Sequence, residues 1–358
     1  MGIFSKKNFV GIDLGHHTIK AVALERLADG WRVARVASVP TPADAVKDGV
    51  IVDVPSTVAA IKTLLKENQI SAGGAMIAVS GGSVVVRQVR MPKMAEATLR
   101  KSIKFEASRY VPSSVEDSYI EFEIIGPVDD NQMDVLMVAA PKDVVESRRQ
   151  TCEEAGLEVE AVDIEPFAMY RALVEADLDN AWGESTIALV DVGSATTNIS
   201  VVSHGVFSMT RSIPQGSETL TQALKSYFKL SDEDAESGKA QLDLNELLEE
   251  GKPKENPPLR VLQPHVDDLV REIRRSLNYY QSQQQEGASK QIDHILLTGG
   301  GAKLSGLAEY FTHKLSIPTT LNDIYANPRF SHFGDPEESG LDLSVASGLA
   351  MRAYAKAA

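Results

Sequence analysis

Cysteine is almost absent from this sequence, since Cys152 is the single cysteine among 358 residues. One cysteine excludes a disulfide framework and a cysteine-rich metal site, and it is typical of a reducing cytoplasm. No stretch approaches the ~18 consecutive apolar residues that span a bilayer. The segment before Val10 is also too short for the apolar core of a signal peptide. We therefore expect a cytoplasmic protein whose contact with a membrane is made through another protein.

Basic residues are scarce relative to acidic ones. Lys and Arg number 36 against 50 for Asp and Glu, which gives a formal net charge of −14. This balance argues against a nucleic-acid partner, because neutralisation of phosphates by basic side chains dominates such binding. A hydrophobic share of 43% and a charged share of 24% are ordinary for a globular protein. The length is sufficient for two domains.

What the chain does contain is an internal repeat. The segment Phe9–Ala23 is echoed by Ala188–Val202, about half the chain length away. In each copy an apolar strand runs into Asp-x-Gly, turns tightly and returns as a second apolar strand. This pattern predicts a hairpin rather than the strand-to-helix turn of a P-loop or dinucleotide-binding unit. The repetition of a whole supersecondary unit predicts duplicated domains.

The two turns have the composition of phosphate-binding loops. Glycine allows the backbone to approach an anion with its N–H groups pointing inward. An aspartate would repel phosphate directly, so we expect Asp13 and Asp191 to act through Mg²⁺, which a carboxylate can hold through water. Glycines together with hydroxyl and charged residues of the same turns complete the predicted phosphate site: Gly15, His16, His17, Thr18, Lys20, Gly193, Ser194, Thr196 and Thr197.

A third glycine-rich segment follows near the end of the chain. The strand predicted at 292–298 breaks into Gly299, Gly300 and Gly301, and a helix is predicted to start directly after them. Three glycines at a helix start allow a flat base or a ribose to lie against bare backbone. Lys303 is added to this candidate site.

The region between the two hairpins has a different pattern. Residues 75–90 predict two strands joined by the turn at Gly81 and Gly82, and residues 95–110 predict a helix. Strands at 118–125 and 134–139 and a helix at 142–155 follow. The block 75–160 is therefore predicted to be a compact α+β insert. Helices dominate from 217 to 286, and Pro264 is predicted to start the long helix there.

Together these segments resemble the nucleotide-binding motifs of the actin/Hsp70 superfamily. The phosphate-1 motif is similar to Gly11–Gly15, the phosphate-2 motif to Asp191–Thr197 and the adenosine motif to Thr298–Ala302. The resemblance implies an α/β, actin-like (ribonuclease H-like) fold of duplicated domains around a nucleotide cleft, with ATP and Mg²⁺ as ligands. It also implies Asp13 and Asp191 as the carboxylates that hold the metal.

Further residues enter through the same resemblance. Glu236 and Lys239 resemble the Glu-x-x-Lys pair that brackets adenosine, and Glu165 resembles the glutamate of a Glu-Pro strip that orients the attacking water. The implied catalytic residues are Glu165 and Asp191. For Glu165, a surface residue preceding a helix is the alternative interpretation. His16 and His17 stand where small hydroxyl residues are usual, which favours nucleotide binding with weak or no hydrolysis.

Within the superfamily the chain is most similar to the PilM family of type IV pilus assembly proteins. The similarity includes residues 89–94, 105–112, 162–168 and 272–280. It implies an FtsA-type 1C insert and four subdomains: 1A at 1–74 and 161–184, 1C at 75–160, 2A at 185–216 and 290–358, and 2B at 217–289.

The resemblance also implies a function and a partner. PilM-like proteins bind the cytoplasmic N-terminal peptide of PilN and link the cytoplasmic machinery to the inner-membrane complex, so other pilus machinery proteins and a peripheral position at the inner membrane are implied here. An FtsA-like division protein and an actin-like filament former, hence a homo-oligomer, stay open as alternatives. The chain lacks the basic amphipathic C-terminal helix by which FtsA-like proteins bind membrane. A small-molecule kinase is disfavoured because no acceptor-site motif is visible.

Overall fold

The computed structural model describes residues 8–82, 84–111, 114–176, 182–248, 256–283, 291–332 and 339–355. Most of the segment used above to argue against a signal peptide lies outside these ranges. The predicted subdomain boundary between residues 289 and 290 also lies outside them.

The described residues form an alternation of strands and helices. The strands are β1 (Phe9–Leu14), β2 (Thr18–Leu27), β3 (Gly30–Pro40), β4 (Val46–Lys47), β5 (Val50–Ile51), β6 (Gly74–Val79), β7 (Val85–Pro92), β8 (Ser118–Pro127), β9 (Gln132–Pro141), β10 (Glu158–Ile164), β11 (Thr186–Val192), β12 (Thr197–Ser203), β13 (Val206–Ile213), β14 (His294–Thr298), β15 (Thr319–Leu321) and β16 (Phe330–Ser331). The helices are α1 (Val54–Glu67), α2 (Glu96–Ala107), α3 (Lys142–Glu154), α4 (Glu165–Tyr170), α5 (Glu218–Phe228), α6 (Asp232–Ala240), α7 (Pro257–Gln283), α8 (Leu307–Leu315) and α9 (Ser344–Arg352). A π-helical segment (Arg171–Glu175) continues α4, and 3₁₀ turns lie at Leu244–Leu247 and Gly300–Lys303.

The chain divides into two compact units. Unit 1 consists of Met1–Ala176, Pro328–Pro336 and Val345–Ala358, and unit 2 of Asp177–Asn327 and Glu337–Ser344. Each unit is built on its own sheet.

The two sheets share one topology, which confirms the predicted duplication. In the described part of unit 1 the strand order is β10-β6-β1-β2-β3-β16, and in unit 2 it is β13-β12-β11-β14-β15. In both, three strands form an antiparallel meander and two further strands run parallel to the first of them, β6 and β10 beside β1, and β14 and β15 beside β11. The Asp-x-Gly turns therefore occupy the same position in each sheet.

Helices pack on both faces of the central strand β1 in the sheet of unit 1. Val10, Ile12 and Leu14 point into a core that also contains residues of α1 and α3. Side chains on a strand alternate between faces, so Gly11 lies on the opposite face. There the backbone of α9 comes so close that a Cβ atom on Gly11 would overlap the carbonyl oxygen of Ala346.

The insert has a small core of its own. Strands β7, β9 and β8 form an antiparallel sheet, and α2 covers one face of it through Leu99 and Ile103. The two strands predicted on either side of Gly81 and Gly82 are present, but they belong to different sheets, because β6 lies in the large sheet while β7 pairs with β9. Helix α3 also packs against the large sheet. The subdomain limits stay predictions, and this packing favours narrower limits for the insert than 75–160.

Helix α7 is the longest helix of unit 2, and it supplies a continuous apolar face to the core. It begins at Pro257, with the side chain of Asn256 accepting the N–H of Leu259 at 3.4 Å. The prediction that Pro264 starts this helix is wrong, since Pro264 lies inside it. Proline is tolerated in the first turn of a helix, and Pro257 rather than Pro264 lies there. Within the described ranges, none of the helices combines the length and apolar character that crossing a bilayer requires.

Candidate functional site

The first turn, Gly15–His17, joins β1 to β2 and is held in place by hydrogen bonds from Thr41. Asp13 faces Lys20 across the hairpin, and their charged groups lie 3.4 Å apart. The Thr41 hydroxyl donates to the Gly15 carbonyl at 2.7 Å, and the Thr41 N–H donates to the His17 carbonyl at 3.0 Å. The turn is thus held by a residue that the local pattern does not single out.

The two histidines differ in their surroundings. His17 is exposed. Partial burial of the imidazole and the nearby Arg148 guanidinium lower the pKa of His16, whereas Asp48 acts in the opposite direction. The neutral form of the His16 imidazole is thereby favoured.

The second turn joins β11 to β12 and rests on the start of α5. The carbonyls of Gly193 and Ser194 accept the N–H groups of Ser217 and Glu218 at 2.9 and 3.0 Å. Thr197 is fully buried, and its hydroxyl donates to the Gln215 carbonyl at 2.8 Å. Because its single proton is already donated, Thr197 supports the turn from inside. Ser194 and Thr196 lie partly exposed in the turn.

The glycine loop lies directly against this second turn. Strand β14 pairs with β11 so that Thr298 stands beside Asp191. A Cβ atom on Gly299 would overlap Oδ1 of Asp191, and it would lie 2.5 Å from the Val192 carbonyl oxygen. Gly301 is similarly tight against the Val192 side chain, whereas the space beside Gly300 is open. The predicted helix after these glycines is a 3₁₀ turn, and α8 begins only at Leu307.

The Glu236 and Lys239 pair forms a closed hydrogen-bonded ring with Thr221. The Lys239 ammonium donates to Glu236 Oε2 at 2.7 Å and to the Thr221 hydroxyl at 2.8 Å, and that hydroxyl donates to Glu236 at 2.6 Å. Lys239 is only 7% exposed, so this pairing compensates a buried charge. Thr221 was missed at the level of sequence, because α5 and α6 meet only in the fold.

Glu165 begins α4 in unit 1 and is 8% exposed. The alternative interpretation of Glu165 as a surface residue is therefore wrong. Near it in sequence, Asp163 accepts hydrogen bonds from Arg171 and Arg352, each at 3.1 Å, which tie β10 to α9. Lys303, on the 3₁₀ turn of unit 2, pairs with Asp342 at 2.9 Å.

A model of the family described as type IV pilus assembly protein PilM matches residues 11–354. The chain belongs to the PilM family.

Comparison with solved structures agrees with this family. A PilM–PilN type IV pilus biogenesis complex matches with a TM-score of 0.82 and 23% identity, over 96% of this chain and 98% of that one. MreB5 of Spiroplasma citri, solved with ADP, matches with a TM-score of 0.56 and 13% identity over 97% of this chain and 96% of the other. These matches show that this PilM family member has the actin-like fold.

Among characterised sequences, the cell division protein FtsA of Streptococcus pneumoniae is 23% identical over 90% of this chain and 78% of its own length. This chain is therefore distantly related in sequence to FtsA proteins, and the family model places it with PilM.

Each unit of this PilM family member carries part of the predicted site. Unit 1 contains Glu165 and the predicted residues of the first hairpin, while unit 2 contains those of the second hairpin, the glycine loop and the Glu236–Lys239 pair. Within the described part of the chain, no cluster of three or more His, Cys, Asp or Glu side chains is arranged to hold a metal.

A cavity of about 790 Å³ in unit 2 opens beside the second turn. Ser194 and Ala195 line one side of it, with Glu218 and Tyr227 of α5 and His265 of α7 around the rest. Sequence analysis had predicted only Ser194 among these residues.

Proposed function

We propose that this PilM family member binds ATP with Mg²⁺ and serves as a scaffold of type IV pilus assembly by binding the N-terminal tail of PilN. The observation that carries the nucleotide part is the duplicated hairpin, with Asp191 packed against the bare backbone of Gly299. An aspartate and a glycine loop in contact provide a metal-binding carboxylate next to a surface that a base or ribose can approach.

Each group of residues would bind a different part of the magnesium nucleotide. Asp13 and Asp191 would hold Mg²⁺ through water, and the N–H groups of the two turns would donate to phosphate oxygens. Lys239, buried and paired with Glu236, would fix the position of the adenosine pocket. The ADP bound by the solved MreB5 supports a nucleotide as the ligand.

The metal role of the two aspartates predicts a change in Mg²⁺ dependence. Asp13→Asn and Asp191→Asn keep the side-chain shape but remove the charge, so we expect the gain in ATP affinity on adding Mg²⁺ to fall by about tenfold or more. Calorimetric titration of each protein with ATP, in Mg²⁺ and in EDTA, measures this gain. Asp29→Asn, at an exposed position in the β2–β3 turn, is the matched control. An unchanged Mg²⁺ gain in both variants would remove the two aspartates from the site.

The pilus part of the proposal rests on the family and on the solved PilM–PilN complex. An extended peptide bound in a groove is a recognised mode of association, and the same mode is proposed here at the cytoplasmic face of the inner membrane. The protein would thereby join the membrane complex through its partner.

We expect a fluorescent peptide that copies the cytoplasmic N-terminus of PilN from the same genome to bind the folded protein saturably. Fluorescence anisotropy in the presence of Mg²⁺ and ATP measures this binding, and a scrambled peptide of the same composition is the control. If both peptides bind equally, or neither binds, the scaffold proposal loses its partner.

A further inference from the structure

Arg148 is a buried cation directly behind the first turn. It lies on α3 and is 3% exposed. Its Nη1 donates to the carbonyls of Leu14 and Ala78 at 3.0 and 3.5 Å, and its Nε donates to the carbonyl of Gly49 at 3.2 Å. Leu14 is the last residue of β1, immediately before Gly15. One guanidinium therefore joins the ends of β1 and β6 and the β4–β5 turn.

The charge of Arg148 has no carboxylate partner among the residues that the structure describes. Its neighbour Arg149 lies at the surface and pairs with Glu146 and Glu153 at 2.5 and 2.7 Å. The other cation that is buried in the described ranges, Lys239, pairs with Glu236. Arg148 thus differs from both, since its acceptors are neutral carbonyls.

A buried cation of this kind is costly to the folded protein. Carbonyl oxygens accept hydrogen bonds from its Nη1 and Nε, but they do not cancel a unit charge, and a buried charge without a counter-ion destabilises the folded protein. An anion that approaches would recover part of this cost, because a charge interaction is stronger where water is excluded. The first turn is the nearest candidate anion site in the fold, since the Arg148 guanidinium binds the carbonyl that precedes it.

The positive charge of Arg148 already affects a side chain of the first turn. It contributes to the lowered pKa of His16, and the Asp48 carboxylate of the β4–β5 turn opposes it. The positive charge therefore acts on a side chain of the turn itself.

We propose that Arg148 is a positioning residue for polyphosphate at the first turn: it fixes the Leu14 carbonyl and supplies from behind the positive charge that the phosphate compensates. This inference rests on the proposed nucleotide function and assigns a source to its electrostatic attraction. Arg148 does not touch the ligand in this account. Its effect is expected to increase with the number of phosphates.

A purely structural role makes a different prediction. If Arg148 only joins three segments of backbone, its loss loosens the turn, and Arg148→Lys, which cannot hold the three carbonyls in the same way, weakens ATP as much as Arg148→Met does. If its charge matters, the loss is largest for ATP, smaller for ADP and smallest for AMP. Recovery of ATP affinity by the charge-keeping Arg148→Lys therefore separates the two roles.

The test compares Arg148→Met, which keeps length without charge, with Arg148→Lys, which keeps charge, and with the neighbouring control Arg149→Met. Dissociation constants for ATP, ADP and AMP in Mg²⁺ are measured by calorimetry. We expect Arg148→Met to weaken ATP at least about tenfold with a graded loss for ADP and AMP, Arg148→Lys to recover most of the ATP affinity, and Arg149→Met to match the unaltered protein.

An equal ATP loss in Arg148→Met and Arg148→Lys, an equal loss for all three nucleotides, or no loss, would overturn the role of Arg148 while leaving nucleotide binding intact. If the unaltered protein binds none of the three, the proposed function itself fails. Thermal unfolding by circular dichroism verifies that each variant is folded. Should Arg148→Met not fold, Arg148→Gln, which retains an N–H donor without charge, decides by the same comparison.

Discussion

A Gly299→Ala variant is expected to lose both thermal stability and nucleotide binding, whereas Gly300→Ala is expected to keep its stability. Gly299 has a φ of +96°, a conformation that costs an L-residue about 1 kcal/mol or more. Its new methyl group would overlap Oδ1 of Asp191 and lie 2.5 Å from the Val192 carbonyl oxygen. Neither the strand end nor the carboxylate can keep its place, so Asp191 is displaced together with the loop.

Gly300 provides the matched comparison one residue away. A Cβ atom there meets no protein atom within 4 Å. We therefore expect an unfolding temperature equal to that of the unaltered protein. If adenosine lies against this backbone, ATP affinity still falls, because the methyl group occupies the space of the ligand. Differential scanning fluorimetry with and without ATP and Mg²⁺ measures both effects. Unchanged ATP affinity in Gly300→Ala would contradict an adenosine site at this loop.

The second large effect concerns the stability of unit 1. A Gly11→Ala variant is expected to be strongly destabilised, because its Cβ atom would overlap the Ala346 carbonyl oxygen and lie 2.5 Å from the Ala350 nitrogen. Both are backbone atoms of α9 and cannot rotate away. Overpacking of this kind costs about 3 kcal/mol or more, a large part of a typical unfolding free energy.

Urea unfolding followed by circular dichroism measures the change for Gly11→Ala. Gly126→Ala in β8 is the control, since a Cβ atom there has no neighbour within 4 Å. Equal midpoints for the two variants would show that α9 does not press on β1 at Gly11.

Local pattern was sufficient to predict the elements that frame the site. The alternation of apolar residues around Asp13 and Asp191 predicts two hairpins, and both are present with those aspartates paired to Lys20 and Asn198 across them. Strand pairing at a distance was not predictable in the same way. The apolar run at 75–79 is compatible with pairing to β7 or to β1, and only the assembled large sheet shows that it pairs with β1.

The supporting residues of the site could not be predicted from spacing. Arg148 reaches Leu14 across 134 positions of sequence, and Thr221 meets Glu236 only because α5 and α6 are neighbours. The start of α7 was predicted at the wrong proline, because Pro257 and Pro264 are both compatible with a helix start. Burial of Leu259 and Leu262 extends the helix back to Pro257.

The central claim is that this member of the PilM family binds a magnesium nucleotide. Calorimetric titration of the unaltered protein with ATP, in Mg²⁺, tests it most directly. We predict saturable binding of one ATP per chain that weakens when EDTA replaces Mg²⁺. The absence of saturable binding by folded protein at millimolar ATP would contradict the account.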